Sequence, residues 1–179
     1  FNNVVFGTTV LSMSKRIMNE VMCLAEDLGI KIWYQDTDSM HIEADKVEFL
    51  NEAFKNKYGR ELIGENIMGC FHSDFDEIPD AVADVHISLG KKMYYDRLVN
   101  DKGDRSEHYR MKGIPQIVIK NTAEKQFDGN VMALYEYLYN GNSLTFDCLD
   151  GRVAFNFTRS GRIEYVANFT RKVVPTSEL

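Results

Sequence analysis

The sequence predicts an α+β fold, in which helices and antiparallel strands occupy separate stretches of the chain. Three observations predict it. Apolar residues recur at three- and four-residue steps from Thr9 to Leu28, later apolar runs are short and bounded by polar turns, and the two patterns do not alternate as βαβ units. A length of 179 residues with 44% hydrophobic residues is enough for an ordinary folded core.

The first third of the chain is predicted to hold two helices and a hairpin. The first helix ends at Gly29, because glycine readily adopts the left-handed conformation that stops a helix. Two β-prone runs follow, Ile30–Tyr34 and Met40–Glu43, and the polar residues between them predict a tight turn. A second helix is predicted from Asp45 to Tyr58.

The rest of the chain is predicted to be rich in strands. Val82–Leu89 and Met93–Val99 flank Gly90-Lys91-Lys92, and a further strand is expected at His108–Lys112. One helix is predicted over Val131–Tyr139. The remaining strands are predicted at Leu144–Cys148, Arg152–Thr158 and Arg162–Thr170, the last two joined by a Ser160-Gly161 turn.

Charge is unevenly distributed along the chain, although the net charge of −6 argues against a general nucleic-acid-binding domain. Residues 36–84 include four basic and thirteen acidic side chains, whereas residues 91–125 include nine basic and five acidic ones. An acidic region followed by a basic one suits divalent cations beside phosphates. It suits ordinary solvated surface as well, so the charge pattern leaves both interpretations open.

Other features exclude several classes of protein. The three cysteines form no CxxC pair, which is typical of free thiols in a reducing intracellular compartment. No apolar run approaches the length of about 18 residues that a membrane span needs. P-loop, dinucleotide-binding and serine-hydrolase motifs are absent, and the four histidines share no metal-ligand spacing. The chain starts at Phe1 in the middle of a pattern, which predicts a piece of a longer protein.

The predicted hairpin turn contains two carboxylates, Asp36 and Asp38. Carboxylates this close repel each other unless a cation binds, and Mg²⁺ prefers such oxygen ligands. The alternative is an Asx turn, in which both side chains accept hydrogen bonds from their own backbone. The two-residue spacing alone does not decide between these interpretations.

The residues around the two carboxylates, YQDTDS, resemble the YxDTDS signature of family B DNA-directed DNA polymerases. The resemblance implies that Asp38 is a catalytic metal ligand and that Asp36 supports the same catalytic centre. It implies further that Thr37 contributes to the metal site, that Tyr34 and Thr37 lie at the nucleotide, and that Ser39 lies near the primer end. Two Mg²⁺ ions are the implied cofactor, with Mn²⁺ as a substitute.

A second segment, GKKMY, looks like the KxY element of the same family. The resemblance implies that Lys91, Lys92 and Tyr94 contact primer-template DNA, and lysines suit that role because they neutralise phosphates. Lys112 lies in YRMKGI, which resembles a strand found in the viral, phage and linear-plasmid branch, where some members use protein priming. A replicon of that kind is the expected source.

The resemblance implies an antiparallel palm sheet with packed helices over residues 1–120, carrying the YxDTDS hairpin, and a small helix-plus-hairpin thumb over 121–179. The boundary is placed at the weakly structured segment Ile119–Thr122. The implied reaction transfers a nucleotide from a dNTP to a primer 3′-hydroxyl. The implied partners are primer-template DNA, the dNTP, the remainder of the polymerase chain and, in protein priming, a terminal protein; no membrane is involved.

The family places a second catalytic aspartate, the fingers lysine and the exonuclease acids upstream of the matching segments, so the 179 residues alone are predicted to be inactive. Two other interpretations remain open. In the first, the chain is a non-catalytic nucleic-acid-binding remnant of a polymerase. In the second, it is an unrelated α+β domain that binds Ca²⁺ or Mg²⁺ without DNA.

Overall fold

The computed structural model describes residues 3–75, 77–149, 153–166 and 168–176. The chain divides into two compact units, Phe1–Asp76 and Glu77–Leu179. Small antiparallel sheets and four helices make up the described residues, which confirms the predicted α+β class. None of the described helices combines the length and the apolar composition needed to cross a bilayer.

Helix α1 spans Val4–Asp27 and therefore begins earlier than the predicted Thr9. The Asn3 side chain caps this helix by accepting a hydrogen bond from the Phe6 amide at 3.1 Å, which satisfies a donor that otherwise lacks a partner. The side chains in the first turns of α1 are exposed, so the apolar periodicity that predicted the helix begins only after these turns. Gly29 follows the helix with a φ of 69°, as predicted.

The core of the first unit forms between α1 and α2, which spans Val47–Tyr58 after a 3₁₀ turn at Ala44–Lys46. Phe54 is fully buried and is covered by the Arg60 guanidinium, 4.9 Å from the ring. Arg60 also forms an ion pair with Glu20 of α1. The buried members of this core are Val21, Leu24, Ala25, Ile30, Leu50, Phe54 and Leu62.

A two-stranded hairpin in the first unit consists of β1 (Ile32–Asp36) and β2 (Ser39–Ile42). It confirms the predicted hairpin, with strands shifted by one or two residues toward the turn. Gln35 donates a hydrogen bond to the Met22 sulfur at 3.0 Å and so connects β1 to α1.

The second unit contains a three-stranded antiparallel sheet in the order β3-β4-β5, formed by Val82–Gly90, Met93–Val99 and Arg105–Met111. The sheet confirms the predicted strands, and β5 begins earlier than His108. Asn100 forms the turn before β5, because its side-chain oxygen accepts hydrogen bonds from the amides of Lys102 and Asp104. Consecutive strands thus pair with their neighbours in the chain.

Two helices cover one face of this sheet: α3 (Gln116–Gln126) and α4 (Val131–Tyr139). Helix α4 has the predicted bounds, and Asn130 caps it by accepting from the Ala133 amide at 3.0 Å. The buried members of this core are Tyr95, Met111, Ile114, Val118, Ile119, Ala123, Val131, Leu134, Tyr135, Leu138, Leu144 and Phe146. Sheet and helices therefore share one core.

The segment Ile119–Thr122, predicted as a weakly structured joint, lies inside α3, and that secondary-structure prediction is wrong. Ile119 is fully buried, and the Thr122 hydroxyl donates a hydrogen bond to the Val118 carbonyl at 2.7 Å. Along the chain, the boundary between the two compact units follows Asp76. The proposed palm–thumb boundary at 120/121 therefore falls within the second unit. The assignment of palm and thumb stays a prediction.

The C-terminal strands differ in part from the predicted ones. The hairpin of β7 (Ala154–Phe157) and β8 (Ile163–Val166) is confirmed, but the predicted strand Arg162–Thr170 stops early and a separate strand, β9 (Thr170–Val173), pairs with β6 (Leu144–Asp147). Arg152, the predicted first residue of β7, lies outside the described residues. Pairing between β6 and β9 joins segments far apart in the chain, which local sequence patterns do not reveal.

Buried tyrosines predict loss of stability at alkaline pH. Burial raises the pKa of Tyr95, Tyr109 and Tyr135 above the ordinary value of 10.0, and for Tyr95 the hydrogen bond to Glu107 raises it further. Because the folded pKa exceeds the unfolded one, their stabilising contribution is complete below about pH 10 and is lost as the pH rises through the folded values. We expect the urea midpoint of the second unit to fall between about pH 8 and about pH 11.

The control for this prediction is a tyrosine that is exposed. Tyr95→Phe should reduce the pH dependence of the urea midpoint, whereas Tyr139→Phe should leave it unchanged, since the Tyr139 side chain is 68% exposed. Equal pH dependence in the wild type and the Tyr95→Phe variant would contradict the prediction.

Candidate functional site

The tip of the β1–β2 hairpin holds both predicted metal-binding carboxylates. Asp36 pairs with Ser39, so Thr37 and Asp38 form the two-residue turn between the strands. Tyr34 and Asp36 are two residues apart on β1 and therefore point to the same side. The turn projects Asp38 to solvent, while Asp36 is partly buried.

Asp36 is held by hydrogen bonds from the next residue. Its Oδ1 accepts from the Thr37 amide at 2.9 Å and from the Thr37 hydroxyl at 3.0 Å. The Ser39 hydroxyl also approaches the Asp36 carbonyl oxygen, at 3.4 Å. These contacts fix the position of the Asp36 carboxylate. They come from the next residue and not from the amide two residues on, so they hold Asp36 within its own turn without forming an Asx turn.

Asp38 behaves differently from Asp36. Among the described residues, none donates a hydrogen bond to the Asp38 carboxylate or forms an ion pair with it. Contacts within the turn therefore hold Asp36 and not Asp38, and neither carboxylate makes the hydrogen bond of an Asx turn. An exposed carboxylate beside a second, fixed one is available to an incoming cation at little cost in lost protein contacts.

Tyr34 and Ser39 flank the carboxylates on the two strands. Tyr34 is 8% exposed, and its ring meets the ring of His41 edge-on at a centroid distance of 5.3 Å. Ser39 is partly buried beside the turn. The ring of Tyr34 therefore supports the hairpin, and the residues facing solvent at its tip are Thr37 and Asp38.

The predicted DNA-binding lysines lie at one end of the β3-β4-β5 sheet. Lys91 and Lys92 form the exposed turn between β3 and β4, and Lys92 has a φ of 60°. The carbonyl oxygen of Lys92 accepts a hydrogen bond from the Lys112 amide at 2.9 Å, which brings the start of β4 beside the end of β5. Lys91, Lys92 and Lys112 thus lie together at this end of the sheet, and we call this surface the lysine edge.

A fourth cation, Arg171, joins this edge; its sequence context left open a contact with the duplex backbone and ordinary solvated surface. The Arg171 guanidinium of β9 packs closely over Gly113 and lies 5.3 Å from the Phe169 ring. Gly113 has a φ of 77°, and a Cβ there would collide with Arg171. The side chains of Lys91 and Lys112 have no acidic partner among the described residues, so these two lysines are available to phosphates.

Tyr94 lies one step further into the sheet, between two histidines. Its ring is 6.1 Å from that of His86 and 6.0 Å from that of His108, and its hydroxyl lies 3.4 Å from His108 Nε2. Asp96 is fully buried between the same strands, with its Oδ1 2.6 Å from His86 Nδ1. Glu77 Oε1 lies 2.7 Å from Nδ1 of His108.

Sequence analysis missed this row of polar residues, because the histidines are far apart in the chain. The strand register places Asp96 opposite His86 on one side and opposite His108 on the other. The available signal was an aspartate inside an otherwise apolar and aromatic strand, MYYDRLV. Buried carboxylates need such partners, and the row holds Tyr94 in place.

The candidate residues fall into two groups. Tyr34, Asp36, Thr37, Asp38 and Ser39 belong to the first unit, while Lys91, Lys92, Tyr94 and Lys112 belong to the second. Within each unit the structure brings the predicted residues together, at the hairpin tip and at the lysine edge. No protein-family model, curated protein or solved structure matches this chain. A functional proposal therefore depends on the two motifs and their local geometry.

Proposed function

We propose that this chain is part of a family B DNA-directed DNA polymerase, in which residues 1–120 are the C-terminal part of the palm and residues 121–179 the thumb. The proposed reaction is attack of a primer 3′-hydroxyl on the α-phosphate of a dNTP, with pyrophosphate as the leaving group. Catalysis of this kind depends on positioning and charge stabilisation more than on covalent chemistry.

The observation that carries the proposal is the different environment of the two carboxylates at the hairpin tip. Asp36 is fixed by Thr37, whereas Asp38 is exposed and makes no polar contact with another described residue. A structural turn needs the first arrangement and gains nothing from the second. A metal-binding turn uses both, because a fixed carboxylate positions the site and an exposed one accepts the cation.

The donor groups at the tip fit Mg²⁺, and Mn²⁺ as its substitute, because both are hard cations that prefer oxygen ligands. Asp38, Asp36 and the main-chain carbonyl of Thr37 would hold the metal. A bound divalent cation supplies neutralisation of the charge that develops on the phosphoryl oxygens. Asp38 contributes its negative charge at the tip, and the Thr37 contacts hold the Asp36 carboxylate in place next to the same turn.

The lysine edge supports the DNA-binding part of the proposal. Lys91, Lys92 and Lys112 offer positive charge to backbone phosphates, and such contacts position a duplex without reading its sequence. The ring of Tyr94 is held between His86 and His108, so this predicted DNA contact starts from a fixed orientation.

Neutralising one of these lysines should reduce the salt dependence of DNA binding. For Lys92→Gln we expect weaker binding to primer-template DNA and a slope of log K against log salt reduced by about 1, since one phosphate contact releases about one counterion. Fluorescence anisotropy over a series of salt concentrations measures this slope. Lys102→Gln is the matched control, because Lys102 is exposed at the opposite end of the strands. An unchanged slope for Lys92→Gln would contradict its role in DNA binding.

The proposed function is tested with an extended chain. The source reading frame is sequenced upstream of the Phe1 codon, and the longer chain and the 179-residue chain are both assayed for primer extension with Mg²⁺ and dNTPs. We expect an upstream aspartate motif of the DxxSLYP kind, extension by the longer chain and none by the 179 residues. Steady extension by the short chain would contradict the need for upstream residues. An intact longer chain that binds DNA without extending a primer would favour the non-catalytic remnant.

A further inference from the structure

The β7–β8 hairpin exposes one apolar face made of four side chains. Phe155 lies opposite Tyr165, and Phe157 lies opposite Ile163. Their exposed fractions are 65%, 64%, 73% and 61%. Because side chains alternate across a strand, all four stand on the same face, and Asn156 and Glu164 occupy the other.

Three aromatic rings with this exposure are unusual on a short hairpin. Aromatic side chains gain most of their stabilising free energy from burial. Within the part of the chain that the structure describes, the side chains of Phe155, Phe157 and Tyr165 make no ring stack, cation contact or hydrogen bond. A contiguous exposed apolar patch of this kind marks a binding surface.

Positive charge lies at the turn end of the aromatic face. The turn between the strands holds the exposed Arg159 and Arg162 and is closed by a hydrogen bond from the Thr158 amide to the Arg162 carbonyl at 2.9 Å. The hairpin, residues 154–166, includes two basic side chains and one acidic side chain. A ligand of this surface therefore combines flat apolar groups with negative charge, which is the chemistry of a nucleic acid strand.

Ring spacing distinguishes single strands from duplexes. Side chains two residues apart on a strand are separated by about 6.8 Å, whereas consecutive bases in a stacked strand are separated by about 3.4 Å. Bases lying on Phe155 and Phe157 must therefore be unstacked from each other. A single strand permits this separation, and a base-paired duplex shields the base faces.

We propose that the aromatic face of the β7–β8 hairpin binds single-stranded DNA, with bases stacked on Phe155, Phe157 and Tyr165 and phosphates contacting Arg159 and Arg162. Aromatic rings on adjacent strands stack bases in this way in single-strand-binding sheets. The choice of DNA over RNA rests on the proposed polymerase function. The stacking of bases on the three rings is argued independently of that function. The binding needs no metal ion.

The test replaces one ring by an aliphatic side chain of similar apolar character. Binding of the 179-residue chain to a fluorescent oligothymidine is measured in the presence of a chelator, for the wild type and for Phe157→Leu. We expect roughly 10-fold weaker binding for the variant, because stacking requires the planar ring. Tyr139→Leu is the control with an equally exposed aromatic residue outside the hairpin, and it should bind as the wild type does.

An abasic oligonucleotide of the same length separates stacking from phosphate contacts. The wild type should bind it more weakly than oligothymidine, and Phe157→Leu should make no further difference to it. Failure of the wild type to bind oligothymidine, or wild-type affinity in Phe157→Leu, would overturn the inference. Because a chelator is present, these outcomes do not depend on Asp38, whose variant tests the polymerase proposal separately.

Discussion

Replacing Asp38 with asparagine in the upstream-extended chain is expected to lower nucleotide incorporation by about three orders of magnitude or more, because several kcal/mol of charge stabilisation at the metal site is lost. The substitution keeps the shape of the side chain and removes its charge. Since no described residue forms a hydrogen bond or an ion pair with the Asp38 carboxylate, the thermal midpoint of unfolding should not fall. Primer extension with Mg²⁺ and with Mn²⁺ measures the effect.

Two further variants make this experiment specific. Asp45→Asn removes a charge from another exposed aspartate of the first unit, one that pairs with Lys46 at 3.0 Å, and should leave incorporation unchanged. Asp36→Asn should also lower incorporation, while its amide oxygen still accepts the hydrogen bonds from Thr37. Near-normal incorporation by Asp38→Asn would remove the assignment of this residue as a metal ligand.

Truncating Tyr135 is expected to destabilise the second unit by about 3–5 kcal/mol, the usual effect of removing a buried aromatic ring. Tyr135 is fully buried, its ring lies 5.6 Å from that of Tyr95, and its hydroxyl donates to the Arg110 carbonyl at 2.8 Å. Tyr135→Ala removes the contacts of this side chain with Tyr95 of β4 and with Arg110 of β5. Urea unfolding followed by circular dichroism measures the loss.

Comparison with milder variants separates packing from hydrogen bonding. Tyr135→Phe removes only the hydrogen bond to Arg110 and should lower the free energy of unfolding by about 1 kcal/mol. Tyr139→Ala, four residues later on the same helix and 68% exposed, should change it by less than about 0.5 kcal/mol. A loss below about 1 kcal/mol for Tyr135→Ala would mean that α4 and the sheet do not share a core.

Local patterns were sufficient for the elements whose signals lie within a few residues. Helix α4 begins after Asn130 and ends shortly before Gly141, as predicted, because capping depends on adjacent backbone groups. Alternating strands around a polar turn predicted the hairpins β1–β2 and β7–β8 for the same reason. The register of Asp36 opposite Ser39 follows from the short turn between them.

Helix α3 was missed because its sequence favours another conformation locally. Ile117, Val118 and Ile119 are β-branched residues that favour strands. Burial of Val118, Ile119 and Ala123 on the common core stabilises the helix instead, and Pro115 marks its start. Tertiary packing of an apolar face outweighs propensities worth a few tenths of a kcal/mol for each residue.

The amino-acid pattern alone was enough to predict an α+β chain with two carboxylates at a hairpin tip and two lysines at a second turn, because turn and strand signals are local. The difference between the held Asp36 and the exposed Asp38 became visible only with side-chain contacts in three dimensions. The packing of Arg171 over Gly113, and the placement of Tyr94 between His86 and His108, likewise became visible only in the folded structure. These contacts join residues far apart in the chain, and only the packing of the folded strands brings them within reach of one another.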